Sequence, residues 1–326
     1  MQPAHARKAT DPLGGVFPVF QTPYRQDESI DYAVLEREID WLFEQGAAGV
    51  VMAMVSEILR LSTSERCDLA AAACRYAGPR GPVVISVGAE STKLAEDFAR
   101  HAESMGAAAV MAIPPLSVAL GEAELARYFG RILAAVKIPL IVQDASSYVG
   151  RPLPISLYHS LWQEHGDRLY FKPEAAPIGP RLTALHHATG DKARVFEGTG
   201  GLTLVDSFRR GIVGTMPGAD LVWAIVALWQ ALMESDEQRI YQIALPLVAL
   251  VGLQHNLDAF LAIEKYLLVK QGVFENAIVR GPVGYDLDQP TRLEIDRLFE
   301  LLQAAVARSQ AGRGSISFRG VHEHLR

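Results

Sequence analysis

Eight short runs of apolar, largely β-branched residues recur along this chain, most of them separated by stretches of helical period. The runs are Gly15–Phe20, Gly49–Ala53, Val83–Val87, Ala108–Ile113, Pro139–Asp144, Leu169–Glu174, Arg194–Glu197 and Ile212–Met216. The intervening helical patterns include YAVLEREIDWLFEQG, STKLAEDFARHAESMG and EAELARYFGRILAAV. Strands that are apolar throughout, rather than alternating, are strands buried on both faces, and that implies parallel pairing under helices. Eight such units specify an α/β fold of the closed (β/α)8 TIM-barrel type better than an open doubly wound sheet, which usually has fewer strands. Gly46, Gly106 and Gly211 close helices just before the next strand, as residues past a helix C-terminus do.

From about Asp220 the pattern is helical only, through LVWAIVALWQALM, residues 236–253 and DAFLAIEKYLLVKQG. That exceeds the single helix a barrel needs to close. The expected organisation is a tail over 1–12, a barrel over 13–233, a C-terminal helical extension over 234–308 and a second tail over 309–326. A chain of 326 residues with 49% hydrophobic residues is ample for one large core of this kind.

In such a barrel the chemistry lies at the C-terminal ends of the strands. The polar residues there are Thr22, Ser56 and Glu57, Gln143 and Asp144, Lys172 and Glu174, and Glu197 with Gly198 and Thr199. Lys172 is the informative one. The chain has seven lysines, and the other six fall in tails, turns or helices. Lys172 sits inside LYFKPE, a buried strand, where period-2 alternation puts it on one face with Tyr170 and Glu174. Lysine is almost never fully buried without a partner or a purpose. A neutral, desolvated amine is a nucleophile for carbonyl carbon, and burial lowers its pKa from about 10.4 towards that state. The plainer alternative is a buried ion pair of Lys172 with Glu174 or Glu197.

Other chemistries find less support. None of the nine histidines falls at a strand's C-terminal end, and the one HxH, His322-Glu323-His324, lies in the expected tail over 309–326, so no metal and no cofactor are expected. The pair His186–His187 reads as a solvated helix face. The glycines of EGTGG (197–201) and GTMPGAD (214–220) follow the seventh and eighth strands, where many barrels bind phosphate. No lysine or arginine lies in either loop, which disfavours a phosphate-binding isomerase. The net charge is -6 with no basic stripe, so nucleic acid is not an expected partner. MQPAHARKATDP holds no apolar run and no stretch of ~20 apolar residues occurs, so the expectation is neither a signal peptide nor a membrane span, and a cytoplasmic setting. Cys67 and Cys74, about 10 Å apart on one helix, read as free thiols.

With these features in place, the chain resembles the dihydrodipicolinate synthase / N-acetylneuraminate lyase superfamily. The resemblance rests on GVFPVFQTPY, on GVVMAMVSEILRLSTSER, on LYFKPEA around Lys172 and on KYLLVKQGV. It spans roughly residues 14–308. It implies a Schiff-base lyase acting on a small 2-keto acid, a homo-oligomer (tetramer or dimer), with Lys172 as the Schiff-base residue. The chain also departs from the family. Ala53-Met54-Val55-Ser56-Glu57 replaces the usual Gly-Thr-Thr-Gly-Glu. Gln143 and Leu116 stand where the synthases place relay tyrosines, and Tyr148 falls near their substrate-binding arginine. These changes point to a branch that dehydrates 2-keto-3-deoxy sugar acids, with pyruvate-dependent aldolase as the alternative. A non-catalytic metabolite-binding barrel is disfavoured, because a binder gains nothing from burying Lys172.

The expected roles follow. The N–H groups of Val55 and Ser56, with the Ser56 hydroxyl, would hold the substrate carboxylate. Glu57, Asp144 and Glu197 are the candidates for proton transfer. Gln143 would orient the substrate, Gly198 would adjoin it, and Glu174 would tune Lys172.

Overall fold

Each apolar run yields a strand, and all pair in parallel: β1 (Gly15–Val16), β2 (Val50–Met52), β3 (Val83–Ser86), β4 (Ala109–Ala112), β5 (Leu140–Gln143), β6 (Leu169–Lys172), β7 (Phe196–Glu197) and β8 (Gly214–Thr215). The structure, a computed structural model, describes residues 11–146 and 149–311, with side chains to residue 309. Most of both expected tails, and Tyr148, lie outside the described residues. The strands form two arcs, β1-β8-β7 and β2-β3-β4-β5-β6. Single parallel bridges, Val19 to Val51 and Phe171 to Val195, join the arcs into a ring. The ring is a (β/α)8 barrel.

Several strands are shorter than their apolar runs, for a local reason. Pro18 has no N–H and interrupts the first ladder. Pairing resumes beyond it, where the Val19 N–H donates to Pro217 O (2.8 Å) and the Phe20 N–H to Val51 O (3.1 Å).

Helices α1 (Tyr32–Glu44), α2 (Thr63–Ala77), α3 (Thr92–Ser104), α4 (Glu122–Ala135), α5 (Ile155–His165), α6 (Ile178–Ala188), α7 (Leu204–Arg210) and α8 (Val222–Met233) alternate with the strands and cover the barrel. Local sequence sets their starts. Asp31 accepts the N–H groups of Ala33 and Val34 ahead of α1, and Ser62 with Glu65 forms a reciprocal capping box on α2. On the strands, alternate residues serve two cores. Val51, Val84, Met111, Ile141 and Tyr170 fill the barrel interior. Their neighbours Val50, Val83, Val110, Val142 and Phe171 pack under the helices. His186 is buried on α6 while His187 is exposed, so the expectation of a solvated pair fails for His186.

Three further helices follow: α9 (Glu237–Val251), α10 (Leu257–Lys270) and α11 (Gln289–Ala311). α11 lies along α9, and α10 reaches the mouth of the barrel. The attachment of α10 is ionic. Lys265, expected to have an ordinary helical setting, is fully buried and lies 2.5 Å from Glu57 Oε1. It also donates to the carbonyls of Thr22 (2.8 Å) and Ile278 (2.7 Å), and stands over the Tyr24 ring. Burial pushes the Lys265 amine below its ordinary value, against the opposing pull of Glu57. The Arg280 N–H donates to the other Glu57 oxygen at 3.0 Å.

Removing one partner of a buried ion pair strands the other charge, so Lys265→Met is expected to cost about 3–5 kcal/mol in denaturant unfolding. Adding Glu57→Gln should recover much of that loss. A single variant as stable as the parent would show that this contact does not hold α10 to the barrel.

Candidate active site

β6 delivers Lys172 to the mouth of the barrel in phase with Tyr170, whose side chain lies in the barrel interior. Lys172 is 4% exposed and Glu174 1%, so neither charge is solvated. The Lys172 amine lies 2.8 Å from Glu174 Oε1. The ammonium and the carboxylate form a close buried ion pair. Glu174 Oε2 accepts from Gln143 Nε2 at 3.0 Å. That contact follows from register, since Gln143 on β5 pairs with Lys172 on β6. Burial raises Glu174 above the usual carboxylate range despite the neighbouring ammonium.

A small cavity of about 20 Å³ adjoins the amine, lined by Val55, Gln143, Lys172, Gly198, Gly218 and Phe260 among others. It has room for about one water. A far larger groove, about 680 Å³, runs between α1, α8 and α11 past Trp41 and Trp223. It is open to solvent and holds no residue from a strand's C-terminal end, so size does not mark the site in this fold.

Gly198 has a specific reason to be glycine. A Cβ there would stand 2.4 Å from Glu174 Oε1 and 2.6 Å from Lys172 Cε. No side chain fits unless the ion pair moves.

The residues expected at this mouth sort into two groups. Lys172, Gln143, Gly198 and Val55 line the cavity. The others are occupied elsewhere. The Ser56 hydroxyl donates to Phe20 O (2.6 Å) and accepts from the Ala53 N–H, while the Ser56 N–H is bonded to Ala53 O. Ser56 therefore braces its turn rather than facing a ligand, and Met54 joins Val55 on the lining. Glu57, in a left-handed conformation (φ 57°), turns its carboxylate to Lys265.

Asp144 accepts the Glu174 N–H (2.9 Å), the Ser146 N–H and hydroxyl (both 3.2 Å), and the Tyr158 hydroxyl (3.4 Å). Glu197 accepts from the Thr199 N–H (2.7 Å) and hydroxyl and from the Thr215 hydroxyl (2.6 Å). Both residues, expected to transfer protons, accept hydrogen bonds that tie strand ends or loops together. Phase explains this for both. Ile141 and Gln143 face inward, so Asp144 faces away, and Phe196 and Gly198 likewise leave Glu197 out of phase. Among the described residues no cluster of three or more His, Cys, Asp or Glu side chains could hold a metal ion.

The sequence reading missed Phe260, Lys265 and the lining role of Gly218. For Lys265 a signal exists: Glu264 and Lys265 are adjacent charges inside the apolar run DAFLAIEKYLLV, where a solvated face would spread charge along one side.

The fold and the site together define a barrel with a buried lysine and carboxylate at its mouth. Residues 12–284 match the Dihydrodipicolinate synthetase family, and the chain belongs to it; it is a lyase. L-2-keto-3-deoxyarabonate dehydratase of Azospirillum brasilense is 28% identical over 302 residues, 90% of this chain and 96% of that protein. A 4-hydroxy-tetrahydrodipicolinate synthase of Methanosarcina acetivorans is 29% identical over 191 residues, 58% of this chain and 65% of that one. The fold is shared with a pyruvate complex of a dihydrodipicolinic acid synthase family protein from E. coli K12, at TM-score 0.82, 21% identity and coverage of 90% and 99%. It is shared also with the sialic acid aldolase of Ruminococcus gnavus, at TM-score 0.79, 20% identity and coverage of 92% and 99%.

Gly198→Ala is expected to displace Lys172 and Glu174 while leaving the barrel folded. A misplacement of this size costs about 10²-fold in rate. The measurement is the rate at which borohydride traps a small 2-keto acid on Lys172, with the unfolding midpoint as control. Unchanged trapping in a folded variant would mean that the pair does not depend on Gly198.

Proposed function

We propose that the protein dehydrates a 2-keto-3-deoxy sugar acid through a Schiff base on Lys172, with L-2-keto-3-deoxyarabonate as the favoured substrate and 2-oxoglutarate semialdehyde as product. The carrying observation is the buried Lys172–Glu174 pair beside the cavity at the mouth of the barrel. Burial raises Glu174 above the usual carboxylate range, and moving the ammonium proton to it leaves a neutral amine beside a neutral acid. The amine attacks the C2 ketone, Glu174 gives the proton it received to the departing C2 oxygen, and water leaves an iminium beside a carboxylate.

The iminium withdraws electrons from C3. Glu174, a carboxylate again once the first water has left, takes the C3 proton, and the enamine expels the C4 hydroxyl. The same carboxyl returns its proton to the leaving oxygen, so that water departs. Expulsion of the C4 hydroxyl leaves a C3=C4 double bond conjugated to the iminium. Loss of a C5 proton and return of a proton to C3 give the C4=C5 enol, which takes a proton at C4 to become the aldehyde, and hydrolysis of the iminium frees Lys172. Gln143 holds Glu174 in place. The N–H groups of Met54 and Val55 open a 3-10 turn and have no acceptor within it, which suits them to the substrate carboxylate. Asp144 and Glu197 act as positioning residues, and Glu57 fixes the turn from behind.

Support for the dehydratase branch over the synthase comes from Gln143 and Leu116. The synthase relay hydroxyls expected from the resemblance are missing at both positions, and such groups contribute about 10²–10⁴-fold. Likeness over 90% of the chain to the Azospirillum dehydratase supports the same branch.

Borohydride with pyruvate should add a stable mass to the peptide that contains Lys172, and Lys172→Ala should abolish both labelling and turnover. Labelling of another lysine would overturn the Schiff-base assignment. In a panel of pyruvate plus aspartate semialdehyde, N-acetylneuraminate and the 2-keto-3-deoxy pentonates and hexonates, a deoxy sugar acid should be consumed fastest, yielding a semialdehyde. Release of pyruvate instead would make the protein an aldolase. Efficient condensation with aspartate semialdehyde would make it a synthase.

A further inference from the structure

Behind the wall of the Lys172 cavity lies a second group of buried carboxyls that the reaction above does not use. Gly218 lines the cavity and pairs with Val19, which lines it too. A Cβ on Gly218 would stand 1.9 Å from Glu264 Oε1 and 3.0 Å from Asp220 Oδ1, so both oxygens converge on one point beside this glycine. Glu264 is fully buried on α10, one turn after Phe260, another lining residue. Its Oε2 accepts from Gln21 Nε2, while Oε1, the atom against Gly218, has no partner. Asp220 is 2% exposed, and its Oδ2 accepts from Gln254 Nε2 at 3.2 Å.

Two carboxylates converging in a site closed to water cannot both carry charge. The cation nearest in sequence, Lys265, is engaged by Glu57. We propose that Glu264 and Asp220 share one proton, and that this protonated pair positions the Gly218 wall of the Lys172 cavity. The proton gives the otherwise unpartnered oxygen a bond and lets α10 close against the end of β8. Loss of the proton places two like charges at the glycine and pushes the wall and Phe260 apart.

The surrounding groups agree with this reading. Burial pushes Asp220 up to about 7. Burial, with the Asp220 charge adding to it, holds Glu264 well above the usual carboxylate range. The other charges facing the pair are Glu38 from α1, which raises Glu264 further, and Lys265, which lowers it; Glu57 and Arg60 act on Lys265 in turn. Glu38 is buried, accepts the Gln21 N–H at 2.8 Å and is itself raised by burial. For a carboxyl raised in the folded state, the folded chain holds a proton that the unfolded chain has released. Stability therefore falls as pH rises from the ordinary carboxylate range through the raised value.

Glu264→Gln tests the proposal, because glutamine has the shape of the protonated acid and cannot ionise. Thermal unfolding and pyruvate trapping on Lys172 are measured at about pH 6.5 and about pH 9 for the parent, Glu264→Gln and Glu264→Ala. At the lower pH, Glu264→Gln should match the parent and Glu264→Ala should fall below both. At the higher pH the parent should lose stability while Glu264→Gln keeps most of its own. The trapped fraction at the higher pH, relative to the lower, should exceed the parent's by about tenfold, as for one pH unit of a single ionisation. A Glu264→Gln variant that follows the parent's pH dependence, or is as damaged as Glu264→Ala at the lower pH, overturns the proposal. The trapping arm rests on the Lys172 reading and the unfolding arm does not. If no protein traps pyruvate while the unfolding contrast holds, the Lys172 reading fails and this inference stands.

Discussion

A closed ring of eight parallel strands leaves its polar side chains few places to go, because each strand is covered by helices outside and by its own core inside. The interior cluster of Phe17, Val51, Val84, Met111, Ile141, Tyr170 and Phe196 is apolar, and so is the shell under the helices. A charge can survive only at the C-terminal rim, and there only with a partner. Among the described residues both buried lysines obey this: Lys172 is matched by Glu174 and Lys265 by Glu57. The two pairs differ in how completely they are satisfied. Lys265 has carbonyl acceptors on two sides and a short contact to Glu57, the arrangement of a fastener. Lys172 meets Glu174 alone and beside a cavity, the arrangement of a group that can still react.

The fastener explains why the chain carries a helical extension at all. α10 contributes Lys265 to the β2 turn, Glu264 to the end of β8 and Phe260 to the cavity lining. One helix thus closes the side of the mouth between the first, second and eighth strands. Without it, Glu57 would be a buried carboxylate in a left-handed turn, a conformation that costs energy and persists only when its surroundings impose it.

Much of the barrel was legible in the sequence because parallel, doubly covered strands must be apolar throughout, and eight such runs leave little choice. Lys172 was legible for the same reason, since a lysine in LYFKPE violates the pattern that defines the strand. The assignment of Asp144 and Glu197 as proton carriers was less secure because it used position along the strand and ignored phase. Period-2 alternation, applied from Ile141 to Gln143 and from Phe196 to Gly198, turns both carboxylates away from the cavity. Glu57 and Ser56 were beyond that rule. They lie in a 3-10 turn, where alternation no longer holds, and their partners come from α10 and from the segment after β1, far away in sequence. Lys265 escaped notice because a helix, unlike a strand, tolerates lysine on most faces, and burial of one particular face is a tertiary fact.

The glycines of the last two loops show how the same residues serve different ends. EGTGG and GTMPGAD have the composition of a phosphate cradle, yet Gly198 and Gly218 each give their side-chain space to a carboxyl oxygen, of Glu174 and of Glu264. A phosphate dianion placed there would meet the carboxyl oxygens of Glu174 and Glu264, and it would need the tight approach that these groups already occupy. Glycine is required because an acid comes close, and the two acids then divide the work. Glu174 stands in the cavity beside an amine, where its proton can move. Glu264 stands behind the wall beside Asp220, where a shared proton keeps the wall in place.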